Sequence, residues 1–197
     1  TIPILVLSSI SDKQIQVCID YDLSITAPSD EKLILIDKVA QESKKIAKIH
    51  LKVDTGMGRI GVHYSRVEKF FPVMKDCTHC HFEGLYSHLA FSDEDTQMNQ
   101  LQIERFSNVV DKFKEAGFSF PLTHLANSGG IFFHPQSHFS MVRAGMALYG
   151  LFEGIPLPDS VSLLPAMSWK TEVVYLKYSE KGTGIGYGHN YVAQNNT

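Results

Sequence analysis

The chain has 197 residues, of which 44% are hydrophobic and 20% charged, and its formal net charge at pH 7 is −3. These values are typical of a globular protein with room for one large domain, or for one domain and part of another. There is no long basic run, which argues against nucleic acid and anionic membrane surfaces as partners. No apolar run approaches the roughly 18 residues that a membrane-spanning helix needs.

Hydrophobic spacing predicts strands that alternate with helices. The sequence opens on an apolar strand without the pattern of a signal peptide, and we expect that its amino end has been cut away. The predicted strands are 4–7, 23–26, 48–54, 82–88 and 122–126, and residues 141–149 are predicted to hold a last strand and a turn. The predicted helices are 29–47, 65–75, 93–116 and a short one from 127. Ser29 is a candidate helix cap and Gly117 a helix stop, although residues 33–36 could alternatively form a strand.

This alternation predicts a parallel α/β protein with about six strand–helix units before Gly150. Eight units would close a (β/α)8 barrel of the TIM type, so we expect residues 1–152 to form a partial barrel whose first strands are missing. An open doubly wound sheet is the alternative, but no G-x-G-x-x-G follows a strand. Three prolines mark a linker after Phe152, and residues 171–176 alternate like a strand. We therefore expect residues 153–197 to be a linker and the first strands of a carboxyl-terminal all-β domain.

Three cysteines are too few for a disulfide scaffold and indicate a cytoplasmic protein. Cys77-Thr78-His79-Cys80-His81 matches the C-x-x-C-H form of a c-type haem site. A predicted buried strand starts immediately after it, and no further zinc ligands lie at short spacing. We interpret the segment as a helix-to-strand loop.

The stretch from His50 to Gly61 organises the chain, and it reads His-Leu-Lys-Val-Asp-Thr-Gly-Met-Gly-Arg-Ile-Gly. Its first half alternates polar and apolar residues, as a strand with one polar face does. Its second half is a glycine-punctuated loop that carries Arg59. A buried strand that ends in such a loop suits a site at the carboxyl end of a parallel strand. A buried strand followed by an ordinary loop is the alternative.

Asn127-Ser128-Gly129-Gly130 lies where a predicted strand gives way to a helix. Backbone N–H groups at a helix start, together with a hydroxyl and two glycines, would bind a phosphate dianion. A plain turn is the alternative for these residues. Arg143 is flanked by apolar residues, which does not fit a surface salt bridge.

The His50–Gly61 stretch resembles the signature segment of alanine racemases, the fold-type III enzymes that use pyridoxal 5′-phosphate (PLP). Four further stretches resemble that family, in its order and at similar separations. They are Gly84-Leu85-Tyr86-Ser87-His88, His124-Leu125-Ala126-Asn127-Ser128, the run from Val142 to Gly150, and the run from Gly184 to Tyr191. Taken together, these stretches extend the resemblance over essentially the whole chain.

The resemblance implies a cofactor site. Ser128, in the Asn127 loop, would contact the PLP phosphate together with the backbone amides of Gly145 and Met146. Arg143 would take the place at the pyridine nitrogen where most PLP enzymes have a carboxylate. A guanidinium cannot accept a proton, so that nitrogen would stay neutral.

The resemblance also implies the groups around the substrate. Arg59 would bond the phenolic oxygen of PLP, and its neighbour Lys52 would be carbamylated, which turns a cation into an anion. Tyr187 would be one catalytic base, reaching the site of the partner subunit in a homodimer and linked to His88 and Arg143. His88 could equally be a core histidine.

One feature of the family is missing. The lysine that binds PLP as a Schiff base lies in the family's first barrel strand, and no such segment occurs in these 197 residues. We therefore interpret the chain as an internal fragment that is inactive alone, from an enzyme that interconverts L-alanine and D-alanine for cell-wall synthesis. The alternatives are a serine/alanine racemase of the same family and a non-catalytic PLP-binding barrel. The nine histidines leave a metal-binding role as a distant third.

Overall fold

A computed structural model describes residues 2–94, 96–153 and 155–197. The strands are β1 (Leu5–Val6), β2 (Ser24–Ala27), β3 (Ala47–Asp54), β4 (Val62–His63), β5 (Cys80–Tyr86), β6 (Leu122–His124), β7 (Gly184–Ile185) and β8 (Tyr191–Val192). The helices are α1 (Asp12–Asp20), α2 (Asp30–Glu42), α3 (Phe70–Asp76), α4 (Gln97–Glu115) and α5 (Ser128–Phe133). Short 3₁₀ helices cover Tyr64–Lys69, Pro135–Ser137, Met146–Tyr149 and Tyr187–His189.

The main sheet is parallel, with strand order β1-β2-β3-β5-β6, and β4 pairs with the end of β3. Strand β3 pairs with β2 on one side and β5 on the other, which makes it the centre of the sheet. Helices connect the consecutive strands of this sheet. The predicted parallel α/β fold is confirmed.

Both faces of β3 are buried, although the sequence shows one polar and one apolar face. Ile49, Leu51 and Val53 are fully buried in the hydrophobic core that the helices complete. His50 and Lys52, on the other face, are 2% exposed. The polar face is therefore an interior surface of the sheet, where buried polar groups need partners from neighbouring strands.

Local side chain to backbone contacts set several helix ends. The Ser29 hydroxyl accepts a hydrogen bond from the backbone N–H of Lys32, as predicted. Gly117 follows α4 at a φ of +85°, which confirms it as the helix stop. Helix α1 was not predicted, although Ser11 and Gln14 form a capping pair in which the Ser11 N–H donates to the Gln14 side chain.

Several predicted elements differ from those observed. Helix α2 ends at Glu42 rather than near 47, and the predicted helix 65–75 is a 3₁₀ helix followed by α3. Helix α4 begins at Gln97, whereas the predicted helix begins at 93. Residue 95, within the predicted helix, lies outside the described residues. Strand β4 was not predicted.

The strand predicted within residues 141–149 is wrong, whereas the turn predicted in the same range is present. Residues 140–143 bond irregularly to the backbone of Thr123 and Ala126. The chain then turns at Gly145 and enters a 3₁₀ helix. The N–H groups of Gly145 and Ala147 donate to the Ser128 hydroxyl and not to a neighbouring strand.

The predicted strand 171–176 is also wrong, since these residues have no secondary structure and their large side chains are exposed. The paired strands in the described part of this region are β7 and β8, an antiparallel hairpin. A strand needs a neighbour for its backbone groups, and none lies beside 171–176 among the described residues.

The chain forms two compact units, Thr1–Ala166 and Met167–Thr197. The predicted domain division at residue 152 stays a prediction. Among the described residues, no helix has the length and apolar character needed to cross a membrane.

Candidate active site

A cavity of about 210 Å³ lies at the carboxyl ends of β3 and β5. Its lining residues are Leu7, Lys52, Arg59, Tyr86, His88, Asn127, Arg143, Ala144 and Gly145. Six of the site residues predicted from the sequence are in this group. Two others, Ser128 and Met146, line an adjoining cavity of about 300 Å³ that shares His88, Asn127 and Gly145.

Arg143 is the most extensively bonded cation at the cavity. One guanidinium nitrogen donates to Nδ1 of His124. The other donates to the backbone oxygens of Ser87 and Leu125 at 2.8 and 3.1 Å, and lies 3.3 Å from Nδ1 of His88. Burial lowers the pKa of Arg143 to about 10, so the group stays protonated at pH 7. The side chain is thus a cation fixed in position by the ends of β5 and β6.

Behind Arg143, two buried histidines continue the hydrogen-bonded chain. Arginine only donates, so Nδ1 of His124 accepts and its Nε2 carries the proton. That nitrogen lies 2.9 Å from Nδ1 of His50, whose own Nε2 is 3.8 Å from the Glu83 carboxylate. The hydrogen-bonded chain therefore runs from Arg143 through two neutral imidazoles, and the partly exposed Glu83 carboxylate lies near its far end.

Burial and the charge of Arg143 account for the neutral histidines. They lower the pKa of His124 to about 2. Burial lowers the pKa of His50 to about 4, with a smaller opposing effect from Glu83. A Cβ at Gly84 would overlap the His50 ring, so glycine is needed at that position of β5.

The ring of Tyr86 contacts His124 and lies close to the charged ends of Lys52 and Arg143. Its ring stacks on His124 with centroids 4.7 Å apart, and the Lys52 Nζ and Arg143 Cζ lie 5.2 and 5.3 Å from its centroid. Its hydroxyl is 2.7 Å from the Thr26 hydroxyl. These contacts allow a cation–π interaction with each cation. Sequence reasoning missed Tyr86, His50 and His124 as parts of the site, although each lies in or beside a stretch it singled out.

Lys52 is buried beside two other positive groups. Its Nζ donates to the backbone oxygen of Val53 at 2.8 Å. Burial lowers its pKa to about 7; Asp54 opposes this effect, and Arg143 and Arg59 add to it. Arg59 itself is exposed at the rim of the cavity. A substantial fraction of Lys52 is therefore an uncharged amine near neutral pH.

Ser128 collects backbone amides from the next loop. Its hydroxyl oxygen accepts from the N–H groups of Gly145 and Ala147 at 3.0 and 3.3 Å. Asn127 caps α5 by accepting from the N–H of Gly130. The backbone amides predicted to contact the phosphate were those of Gly145 and Met146. In the structure, the amides that donate to Ser128 are those of Gly145 and Ala147.

His88 and Tyr187 have different surroundings. His88 lines both cavities, and burial together with Arg143 lowers its pKa to about 4. Tyr187 lies in a 3₁₀ helix of the Met167–Thr197 unit, and its side chain is fully exposed. Its role as a base stays a prediction.

Residues 1–153 match the family model for the alanine racemase N-terminal domain. The chain belongs to the alanine racemase family. It is 35% identical over 193 residues to the alanine racemase of Halothermothrix orenii, covering 98% of this chain and 51% of that protein. The chain thus spans about half the length of the curated relatives it matches.

Solved alanine racemases have the same fold. The enzyme of Clostridium difficile 630 superposes with a TM-score of 0.91 at 31% identity, over 100% of this chain and 52% of its own. The Bacillus anthracis alanine racemase with bound L-Ala-P gives a TM-score of 0.89 at 30% identity, over 99% of this chain and 51% of its own. Together with the family match, this confirms the predicted partial barrel of an alanine racemase.

Proposed function

We propose that the whole protein is a PLP-dependent alanine racemase, an isomerase that interconverts L-alanine and D-alanine. One observation carries the proposal beyond family membership: a fixed Arg143 faces a cavity that it shares with a second arginine, Arg59, and with the buried amine of Lys52. Such a cavity suits an anionic cofactor and a carboxylate substrate. We further propose a cytoplasmic homodimer that supplies D-alanine for peptidoglycan.

The phosphate end of PLP fits the surroundings of Ser128. Two amides donate to its oxygen, so its own O–H is left to donate to an acceptor. The start of α5 adds N–H groups with a favourable local dipole. We assign Ser128, Asn127, Gly145 and Met146 to phosphate binding.

The ring end of PLP fits Arg143. When bound, PLP withdraws electrons from the Cα–H bond of the substrate, which allows the proton to leave. Arg143 donates hydrogen bonds and cannot take up a further proton, so it would hold the pyridine nitrogen unprotonated. Its four acceptors keep it from turning away. Arg59 is assigned to the phenolic oxygen.

Proton transfer is assigned to Tyr187 and to the family's cofactor lysine, on opposite faces of the substrate Cα. A free tyrosine has a pKa near 10, too high for a base at pH 7. His88 accepts at Nδ1 from Arg143, so its Nε2–H can donate to a phenolate oxygen. That hydrogen bond, within the positive field of Arg143, would favour the ionised tyrosine.

The domain assignment follows from the same proposal. Residues 1–152 would be part of the PLP-binding barrel, and 153–197 would lead into a carboxyl-terminal β domain. The family match over residues 1–153 supports this division.

The test is racemisation by the full-length protein with PLP. We expect D-alanine to form from L-alanine, and alanine to be preferred over serine. PLP binding without racemisation of either amino acid would support the non-catalytic barrel instead. Faster turnover of serine would favour the serine/alanine racemase.

A further inference from the structure

Two cysteines and an aspartate meet at the amino end of the sheet, away from the candidate active site. Asp37 lies on α2, Cys77 follows α3, and Cys80 is the first residue of β5. One potential ligand atom from each lies within 4.8 Å of the other two. We call these three residues the Cys77 cluster.

The backbone holds the Cys77 cluster in place. The N–H of His79 donates to Asp37 Oδ1 at 2.7 Å, and the carbonyl oxygen of His79 accepts from the N–H of Ala47 at 2.9 Å. The N–H of Cys77 also donates to the Val73 carbonyl oxygen. The cysteine loop is therefore tied to α2, β3 and α3, and the Asp37 carboxylate also accepts a hydrogen bond from the Cys80 thiol.

We propose that the Cys77 cluster binds a zinc ion through the two cysteine sulfurs and the Asp37 carboxylate. Two cysteines separated by two residues are the usual half of a tetrahedral zinc site. Zn–S bonds of about 2.3 Å place tetrahedral ligands roughly 3.5 to 3.8 Å apart, so the cluster needs only a small inward shift. Thiolate ligands favour zinc over magnesium or calcium.

The surroundings also favour a cation. A cavity of about 260 Å³ borders the cluster, and Asp37, Asp76 and Cys77 are among its lining residues. A water molecule in this cavity would complete the coordination. Within residues 2–94, 96–153 and 155–197, no ion pair involves Asp37 or Asp76. In this described part of the chain, neither carboxylate therefore has a lysine or arginine within ion-pair distance.

The site is not a c-type haem site. His81 lines a different cavity, together with His50 and Glu83, whereas Cys80 packs against the hydrophobic core. Neighbouring residues of a strand point to opposite faces, so His81 cannot join the cluster as a ligand. The cluster also lies about 20 Å along β5 from Tyr86, which separates it from the PLP site. Zinc there would join α2, the end of α3 and β5.

The test uses the full-length protein, reduced and freed of metal, and titrated with Co²⁺ and then with Zn²⁺. We expect one Co²⁺ per chain, with the near-ultraviolet charge-transfer band of a thiolate complex and the visible bands of tetrahedral cobalt. Zn²⁺ should displace the cobalt and abolish these bands. Zn²⁺ should also raise the thermal midpoint of unfolding, a readout independent of racemase activity.

Variants locate the ion. Cys80→Ser should weaken the charge-transfer band and the double variant Cys77→Ser/Cys80→Ser should lose it, while Asp37→Asn, which leaves both thiols in place, should weaken zinc binding. Cys18→Ala is the matched control, because it removes a buried thiol from α1 and should bind like the parent protein. The proposal is overturned if the reduced parent protein binds no Co²⁺, or if its band persists in Cys77→Ser/Cys80→Ser. Isolation of the pair as a disulfide, with no zinc uptake after reduction, would also overturn it.

Discussion

At the scale of single residues, Lys52 combines burial with a neutral fraction. Its pKa is lowered to about 7, mainly by burial, so at pH 8 most of the side chain is an amine. A neutral amine attacks the carbon of CO₂, and loss of a proton then gives a carbamate. This exchanges a cation for an anion next to Arg59 and Arg143, which relieves repulsion between like charges.

We predict that Lys52 carries a carbamate in the full-length protein at pH 8. Nuclear magnetic resonance with ¹³C-labelled bicarbonate should show one carbamate signal that is absent from Lys52→Met. Lys48→Met is the control, since Lys48 lies on the same strand but pairs with Asp22 at 2.6 Å. A signal that survives Lys52→Met would place the modification elsewhere.

The buried histidines make stability depend on pH. His50 and His88 have pKa values lowered to about 4, and His124 to about 2, against an ordinary value of 6.5. Between about pH 6.5 and 4, the unfolded chain takes up protons that the folded chain does not. The contribution of these neutral histidines to the free energy of unfolding is therefore fully present above pH 6.5, and it is lost as the pH falls towards 4.

We predict a lower urea midpoint at pH 5 than at pH 7, and a smaller difference between the two in His124→Gln. His63→Gln is the control, because His63 is exposed. It should keep the pH dependence of the parent protein. An unchanged midpoint in the parent protein between pH 7 and 5 would show that the interior histidines are not held neutral.

At the scale of elements, α4 positions the two loops that border the candidate site. Gln102 is fully buried; its side-chain amide donates to the Thr55 hydroxyl and to the His88 carbonyl oxygen, at 3.1 and 3.0 Å. Its oxygen accepts from the N–H of Ala90 at 2.8 Å. One side chain thus holds the segments that follow β3 and β5.

We predict that Gln102→Met destabilises the protein by about 1–3 kcal/mol, because it leaves buried backbone groups without partners. Gln100→Met, on the exposed side of the same helix, should change stability by less than about 0.5 kcal/mol. Urea unfolding of the full-length variants measures both. Equal destabilisation by the two substitutions would mean that the stability is lost within the helix and not through its contacts with the loops.

At the scale of the whole molecule, we predict that each active site of the proposed racemase takes residues from two subunits. Tyr187 is exposed on the Met167–Thr197 unit, while Arg143 and His88 belong to Thr1–Ala166. If Tyr187 acts in the partner subunit, a monomer cannot have a complete site. Tyr187→Ala should then abolish racemisation and leave PLP bound.

Mixed dimers distinguish a site that is shared between two subunits from a site that lies within one subunit. We predict that full-length Tyr187→Ala, mixed with a full-length variant lacking the cofactor lysine, regains activity. Each mixed dimer would have one site with both defects and one with neither. No recovery under conditions of proven subunit exchange would show that Tyr187 does not act across the interface.

The sequence by itself determined the features that depend on local physics. The alternation in β3, the cap at Ser29, the stop at Gly117 and the Asn127 cap of α5 each involve residues a few positions apart. These local signals were enough for a parallel α/β fold. The resemblance to alanine racemases, carried by motifs along the chain, was what singled out six of the nine residues that line the cavity.

Only the tertiary structure decided which distant groups meet and which strands find neighbours. Residues 141–149 and 171–176 have strand-like patterns, yet neither is a strand, because strand formation requires a partner that local pattern does not reveal. The chain from Arg143 through His124 to His50 joins residues up to 93 positions apart. Likewise, Asp37 joins the two cysteines only because α2 packs beside the start of β5, so a motif that lacked a third ligand in sequence has one in space.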